Sequence, residues 1–99
     1  MEQLVLSLDL EMNQPSNSII QIGACIGSLA TGTIVDQISI PINAQESLSP
    51  YITQLTGLTQ EQVDNGLTLQ QGYTKLMDMV NRHPGTWRNP LVWGGTVTE

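Results

Sequence analysis

Apolar and polar residues alternate in the first part of the chain, in three segments separated by turn-forming residues. The segments run from Leu4 to Glu11, from Ser18 to Gly27 and from Thr33 to Ile42. Apolar residues at every second position are typical of a β-strand with one buried face. The buried faces predicted in this way comprise Leu4, Leu6, Leu8 and Leu10, then Ile20, Ile22, Ala24 and Ile26, and finally Ile34, Ile38, Ile40 and Ile42. Because the turns between the segments are short, the pattern favours an antiparallel meander.

The second part of the chain carries signals for helices. Ser49-Pro50 has the form of an N-cap followed by proline at the first helical position, which predicts a short helix through Gln54 that Gly57 stops. Two later threonines each precede a glutamine by three residues, the spacing of a capping box. These pairs are Thr59 with Gln62 and Thr68 with Gln71.

The longest predicted helix runs from Leu69 to Arg82. Its apolar residues fall at helical spacing and predict packing of Leu69, Tyr73, Leu76 and Val80 against the sheet. After it, residues 89–93 are predicted to form a fourth strand. Because helices intervene, that strand is expected to lie parallel to the first strand, on its free side. The order of elements indicates the α/β class with a mixed sheet.

Composition limits the classes of protein that the chain can represent. Its 99 residues suit a single domain, and no apolar run approaches the ~20 residues that span a bilayer. Its one cysteine, Cys25, excludes an intrachain disulfide, which favours a reducing, cytoplasmic location. Three basic residues against nine acidic ones give a net charge of −6, which argues against a basic nucleic-acid binder. A nuclease remains compatible with this charge if divalent cations lie between carboxylates and phosphates.

Two acidic residues near the end of the first strand are the main candidates for chemistry. Asp9 and Glu11 are two residues apart, so both side chains project from the same face of a strand. Paired carboxylates suit Mg²⁺ or Mn²⁺, and two such ions can activate water and stabilise the leaving oxygen of a phosphodiester. The alternative interpretation is an ordinary solvated strand face.

Several segments, in this order, resemble the DEDD (DnaQ-like) 3′–5′ exonucleases. Residues 8–12, LDLEM, and residues 18–24, SIIQIGA, are similar to the first motif and second strand of that family. Residues 40–42, IPI, and residues 55–59, LTGLT, are similar to a later family segment, with Glu61 and Val63 behind it. The resemblance extends from Leu4 to about Trp93.

The resemblance implies an RNase H-like fold, of which residues 1–99 would be the N-terminal part of one exonuclease domain. Its implied activity is removal of nucleotides from the 3′ end of single-stranded DNA or RNA. Asp9 and Glu11 would be catalytic ligands of Mg²⁺ or Mn²⁺. The implied substrate contacts are Met12, Leu55, Thr56 and Gly57. Gly57 can equally be a left-handed glycine that ends a helix.

The sequence departs from this family at its later motifs. Val97 stands where the second-motif aspartate is expected, and the third motif, with its base and final aspartate, is not present. The chain alone is therefore expected to be inactive, and its uncovered sheet is expected to promote self-association. Two other interpretations stay open: a non-catalytic interaction module with the front half of the fold, and an unrelated small α/β binding protein. A longer reading frame with a third motif would favour the nuclease.

Overall fold

Three antiparallel strands form the sheet of this protein. The computed structural model describes residues 4–84. Its strands are β1, Leu4–Met12, β2, Ile19–Ser28, and β3, Thr33–Pro41, in the order β1-β2-β3. Both pairs of neighbouring strands are antiparallel, which confirms the predicted meander and its order.

The register of β1 against β2 places their apolar residues on one face. Leu8 lies opposite Ala24, and Leu10 lies opposite Ile22, so these side chains point to the same side of the sheet. The register shifts between Glu11 and Met12, at the end of β1. A bulge of this kind is frequent beside functional sites, because it redirects side chains.

A second shift, in β3, changes the face on which one predicted core residue lies. Ile26 pairs with Asp36, whereas Gly27 pairs with Ile34, so Val35 is an extra residue in the strand. Because side chains alternate with period two, one extra residue turns Ile34 to the opposite face. The prediction that Ile34 joins the core was therefore wrong, and its side chain is 59% exposed.

Three helices follow the sheet: α1, Pro50–Thr56, α2, Gln60–Asp64, and α3, Leu69–Asn81. Ser49 caps α1 through its side chain, with Pro50 in the first turn, as predicted. Both predicted capping boxes are present, at the starts of α2 and α3. Each cap provides an acceptor for a backbone N–H that the helix cannot satisfy itself.

The main core lies between α3 and the inner face of the sheet, which is the face that carries the leucines of β1. Its buried members are Leu4, Ile22, Ala24, Ile26, Ile40, Ile42, Leu76, Met79 and Val80. A smaller cluster packs the two short helices against the start of β2 and consists of Ile20, Ile52, Leu58 and Val63.

Helix α3 approaches the sheet closely at a glycine. A Cβ atom on Gly72 would lie 2.5 Å from Cδ1 of Ile42, so a larger residue would push the helix away. Leu76 and Val80 are buried as predicted, and Met79 is also buried. Leu69 and Tyr73 were also predicted to pack against the sheet, but their side chains remain about half exposed, at 49% and 57%. They instead form the rim of an apolar groove beside β1.

The connection between α2 and α3 is fixed to the end of β3 by a backbone contact. Ile42 and Leu67 form an isolated parallel bridge, and the N–H of Leu67 donates to the carbonyl of Pro41 at 3.1 Å. A Cβ atom on Gly66 would lie 2.5 Å from that carbonyl oxygen, so only glycine permits this approach. The contact holds the start of α3 over the sheet.

The predicted fourth strand, residues 89–93, lies outside the described residues, as does Val97. Within residues 4–84, every helix is too short or too polar to cross a bilayer.

Candidate active site

Asp9 and Glu11 lie on the face of β1 that points away from the main core. Leu8 and Leu10 pack against that core, so the alternation of the strand directs the two acids to the other side. Asp9 is exposed and Glu11 is partly buried. The structure thus brings the two predicted metal ligands together on one face, near the end of the strand.

The electrostatic state of this pair favours a cation. Partial burial raises the pKa of Glu11, and the negative charge of Asp9 raises it further. The ionised form of Glu11 therefore costs the folded chain free energy, and a bound cation would relieve this cost. Two adjacent carboxylates fit Mg²⁺ or Mn²⁺, which prefer oxygen ligands and keep several waters. Among the described residues, no third His, Cys, Asp or Glu joins the pair to form a cluster.

A groove of about 280 Å³ separates the end of β1 from α1. It brings three of the predicted substrate contacts, Met12, Leu55 and Thr56, to the same place as Glu11. The full lining is Leu10, Glu11, Met12, Gln14, Tyr51, Ile52, Leu55 and Thr56. Residues that are more than 40 positions apart in the sequence thus meet beside a predicted metal ligand.

The fourth predicted contact, Gly57, does not line the groove. It is the C-cap of α1, with φ of 78°, and its N–H donates to the carbonyl of Thr53 at 2.9 Å. This is the helix-ending glycine that the sequence allowed as an alternative. The hydroxyl of Thr56 also stabilises the C-terminal end of α1. It donates to the carbonyl of Ile52 at 2.8 Å and accepts from the N–H of Leu58 at 3.1 Å.

Asn13, which the sequence did not single out, connects the end of β1 to α1. Its side chain is 3% exposed, and its Oδ1 atom accepts from the N–H of Ser49, the N-cap of α1, at 3.1 Å. Its Nδ2 atom donates to Oε2 of Glu46 at 2.7 Å and to the carbonyl of Ser47 at 2.9 Å. The residue directly after Met12 therefore fixes the position of the helix that carries Leu55.

Glu46 completes this connection. Besides the bond from Asn13, it accepts hydrogen bonds from the hydroxyls of Ser16 and Ser18. These bonds lower the pKa of Glu46, with Ser16 making the largest contribution and Asn13 the next. The turn after β1 and the loop before α1 are thus joined through one carboxylate.

Acid is therefore expected to weaken the link between β1 and α1. Because the folded-state pKa of Glu46 is lower than its unfolded value near 4.5, its contribution to stability is present above that value. The contribution is lost as the pH falls through the folded-state pKa. Glu46→Gln should lower the free energy of unfolding at pH 7, and the difference from the wild type should shrink at pH 3. Urea unfolding at both pH values measures this, with exposed Glu61→Gln as the charge-matched control. An equal difference at both pH values would contradict it.

At the other end of the core, Asp36 pairs with residues that follow α3. Its Oδ2 atom lies 3.0 Å from Nε2 of His83 and 3.2 Å from the guanidinium of Arg82. The hydrogen bond from His83 is the largest cause that lowers the pKa of Asp36. This contact ties the end of α3 to β3, away from the candidate site.

The comparisons with known proteins identify the family. The model of the RNase T exonuclease family matches residues 6–84, which include β1 from its third residue onward, the other two strands and all three helices. A comparison with curated protein sequences gives no significant match.

Solved structures of exonucleases share this fold. One is a full-length 3′-exonuclease, with a TM-score of 0.78 and 23% identity over 94% of this chain and 34% of its own. A 3′-exonuclease described in recognition of a histone mRNA stem-loop has a TM-score of 0.79 and 23% identity, covering 94% of this chain and 46% of its own. The nuclease domain of 3′hExo, a DEDDh family member bound to rAMP, has a TM-score of 0.78, 23% identity and coverage of 94% and 52%.

This chain thus spans between one third and about half of the length of these structures. Its three antiparallel strands and its helices match the front part of their RNase H-like fold. Together with the family match, these findings confirm the predicted resemblance to DEDD exonucleases. The chain belongs to the RNase T exonuclease family.

Proposed function

We propose that this chain is the N-terminal part of a metal-dependent 3′–5′ exonuclease domain that removes nucleotides from single-stranded nucleic-acid 3′ ends. One observation supports the proposal most directly: Asp9 and Glu11 share an exposed strand face, and Glu11 also lines the groove with Met12, Leu55 and Thr56. Carboxylates for a cation and contacts for a nucleotide therefore occur side by side. The exonuclease family of the chain is consistent with this role.

Each group in the site has a role in this proposal. Asp9 and Glu11 would hold Mg²⁺ or Mn²⁺, which supplies charge stabilisation and an activated water for phosphodiester hydrolysis. Met12 and Leu55 provide apolar surface for the terminal nucleotide, and Thr56 shapes the end of α1 beside them. The groove would orient the 3′ end, and a cation held by the two carboxylates would attract the negative phosphate to an otherwise acidic chain.

The nucleic acid that fits this site can be RNA or DNA. Two of the similar structures are described with RNA-related ligands, a histone mRNA stem-loop and rAMP. These descriptions concern those proteins, but they make a short RNA the first substrate to test on this one.

Self-association is part of the same proposal. A second groove, of about 690 Å³, opens between β1 and α3 on the inner face of the sheet. Its lining is almost entirely apolar and consists of Leu8, Leu10, Ile19, Ile22, Leu69, Gln70, Tyr73 and Leu76. Apolar surface of this kind favours burial against another molecule, and we propose that a second copy of the chain covers it in the absence of a longer domain.

Metal binding tests the proposed function directly. Titration with Mn²⁺, followed by calorimetry and by NMR line broadening, should place weak binding at β1, because only two carboxylates of the described residues meet there. Asp9→Asn should abolish this binding, since it removes one of those two carboxylates together with its charge. Asp78→Asn, which neutralises an exposed acid on α3, is the matched control and should leave binding unchanged.

Two outcomes would contradict this prediction. Binding that persists in Asp9→Asn would place the cation elsewhere. Submicromolar affinity in the wild type would mean that further ligands, outside the pair on β1, complete the site.

A further inference from the structure

Gln21, on β2, lies directly opposite Glu11 on β1. Directly opposite residues of antiparallel strands point to the same side of the sheet, with Cβ atoms about 4.5–5.5 Å apart. The side chain of Gln21 therefore projects from the face that carries Asp9 and Glu11, and it is partly buried. A glutamine amide is thus the cross-strand neighbour of the predicted metal ligands, on a strand that has no acidic residue.

The position opposite Asp9 has no side chain, because it is Gly23. Gln21 is the diagonal neighbour of Asp9, and diagonal neighbours in a sheet lie within reach of long side chains. A Cβ atom on Gly23 would lie 3.2 Å from the carbonyl oxygen of Asp9, so a larger residue would crowd β1 at this point. The glycine therefore leaves room for the side chain of Gln21 to approach both acids.

A hydrogen bond orients the amide of Gln21. Its Nε2 atom donates to the hydroxyl oxygen of Ser39 at 3.1 Å. Ser39 belongs to β3 and lies opposite Gly23, on the side of β2 that is away from β1. Because the nitrogen and the oxygen diverge from the same amide carbon, a nitrogen directed to β3 turns the Oε1 atom away from Ser39.

We infer that the Oε1 atom of Gln21 is a third oxygen ligand of the cation that Asp9 and Glu11 hold. This inference rests on the proposed function. Carbonyl oxygens of amides, like carboxylates and water, are suitable ligands for hard divalent cations. The bond to Ser39 would hold this ligand in place before the cation arrives.

A neutral ligand suits this position. Burial and the charge of Asp9 already raise the pKa of Glu11, so a third carboxylate would add repulsion whenever the cation is absent. An amide adds an oxygen ligand without adding charge. It is also compatible with weak binding, because affinity in such sites depends on the number of charged ligands.

Two substitutions of Gln21 in the 99-residue chain should change Mn²⁺ affinity in opposite directions. Gln21→Leu removes the oxygen and should weaken binding by about ten-fold, the lower end of the loss for residues that support a metal site. Gln21→Glu supplies a charged oxygen at the same position and should strengthen binding by a similar factor. Calorimetric titration measures both affinities. A structural role alone would produce a loss in both variants.

Gln37 is the matched control for these substitutions. It precedes Ser39 by two residues, so it lies on the same face of the sheet, and it pairs with Cys25, four residues from Gln21 on β2. Four strand residues span about 13 Å, which exceeds the screening length of about 8 Å at physiological salt. Gln37→Leu and Gln37→Glu should therefore leave Mn²⁺ affinity unchanged at that salt concentration.

Paramagnetic broadening gives a second measurement that reports position. In the wild type, the side-chain NH2 signals of Gln21 should broaden at the first additions of Mn²⁺, whereas those of Gln37 should not. Asp9→Asn should remove the broadening at Gln21. Sharp Gln21 signals in the Mn²⁺-bound wild type would overturn the inference, as would weaker binding in both Gln21 variants.

The same titrations distinguish this inference from the proposed function. If Mn²⁺ binds at Asp9 with equal affinity in the wild type and in both Gln21 variants, the proposed function stands and the role of Gln21 is refuted. If Mn²⁺ does not bind at Asp9 in the wild type, both are refuted.

Discussion

The 99-residue chain is expected to release no nucleotides from a 3′-labelled oligonucleotide in Mn²⁺, although it has the fold of an exonuclease. Cleavage with two metal ions needs carboxylates for both ions and a base that activates the water. Asp9 and Glu11 supply a single pair, and no third acidic ligand joins them in residues 4–84. A general base alone accelerates such a reaction by ~10²–10⁴-fold. The rate of nucleotide release by the 99-residue chain should therefore be at least about 100-fold below that of a complete domain.

A longer version provides the positive control for this experiment. If the missing carboxylates and base are encoded after Glu99, a chain that includes them should degrade single-stranded 3′ ends, and Asp9→Asn should abolish that activity. Light scattering on the same sample of the 99-residue chain reports its mass and so tests the proposed self-association. Metal-dependent and Asp9-sensitive release by a monomer of the short chain would contradict the prediction, and would mean that another group completes the site.

Asn13→Ala is expected to lower the free energy of unfolding by about 3 kcal/mol, the largest effect on stability that we predict for one side chain. The substitution removes the acceptor of the Ser49 N–H and the donor to Glu46 and the Ser47 carbonyl. Buried polar groups that lose their partners cost about 1–3 kcal/mol each. The same change releases the start of α1, so nucleotide binding in the groove should weaken together with stability.

Urea unfolding measures this effect, with Gln14→Ala as the neighbouring control. The amide of Gln14 makes an exposed hydrogen bond to Asn17, so its removal should cost less than about 0.5 kcal/mol. Asn13→Asp gives a second test, because it places a carboxylate against Glu46. This variant should be destabilised at pH 7 and should regain part of its stability in acid, when one of the two groups is protonated. Equal stability of Asn13→Ala and Gln14→Ala would show that the link to α1 is unimportant.

Local patterns in the sequence predicted most of the elements that build this fold. The alternation in β1 and β2 assigned their faces correctly, because strand geometry repeats every two residues wherever no bulge intervenes. The helix starts at Ser49, Thr59 and Thr68 were also predicted from local sequence, since each capping residue and its partner are three residues apart. The side-by-side placement of Asp9 and Glu11 follows from the same alternation, and it required no tertiary contact.

Only the tertiary structure decided which distant residues meet. Asn13 and Glu46 are 33 positions apart, and His83 and Asp36 are 47 apart, so no local spacing indicates either contact. The bulge at Val35 is a property of the pairing between two strands, and it turned Ile34 out of the predicted core. The groove that joins Tyr51 to Glu11 exists because Asn13 fixes α1 against the end of β1. The sequence alone thus determined the strands, the helix starts and the paired carboxylates through short-range geometry, whereas long-range hydrogen bonds and packing decided what surrounds those carboxylates.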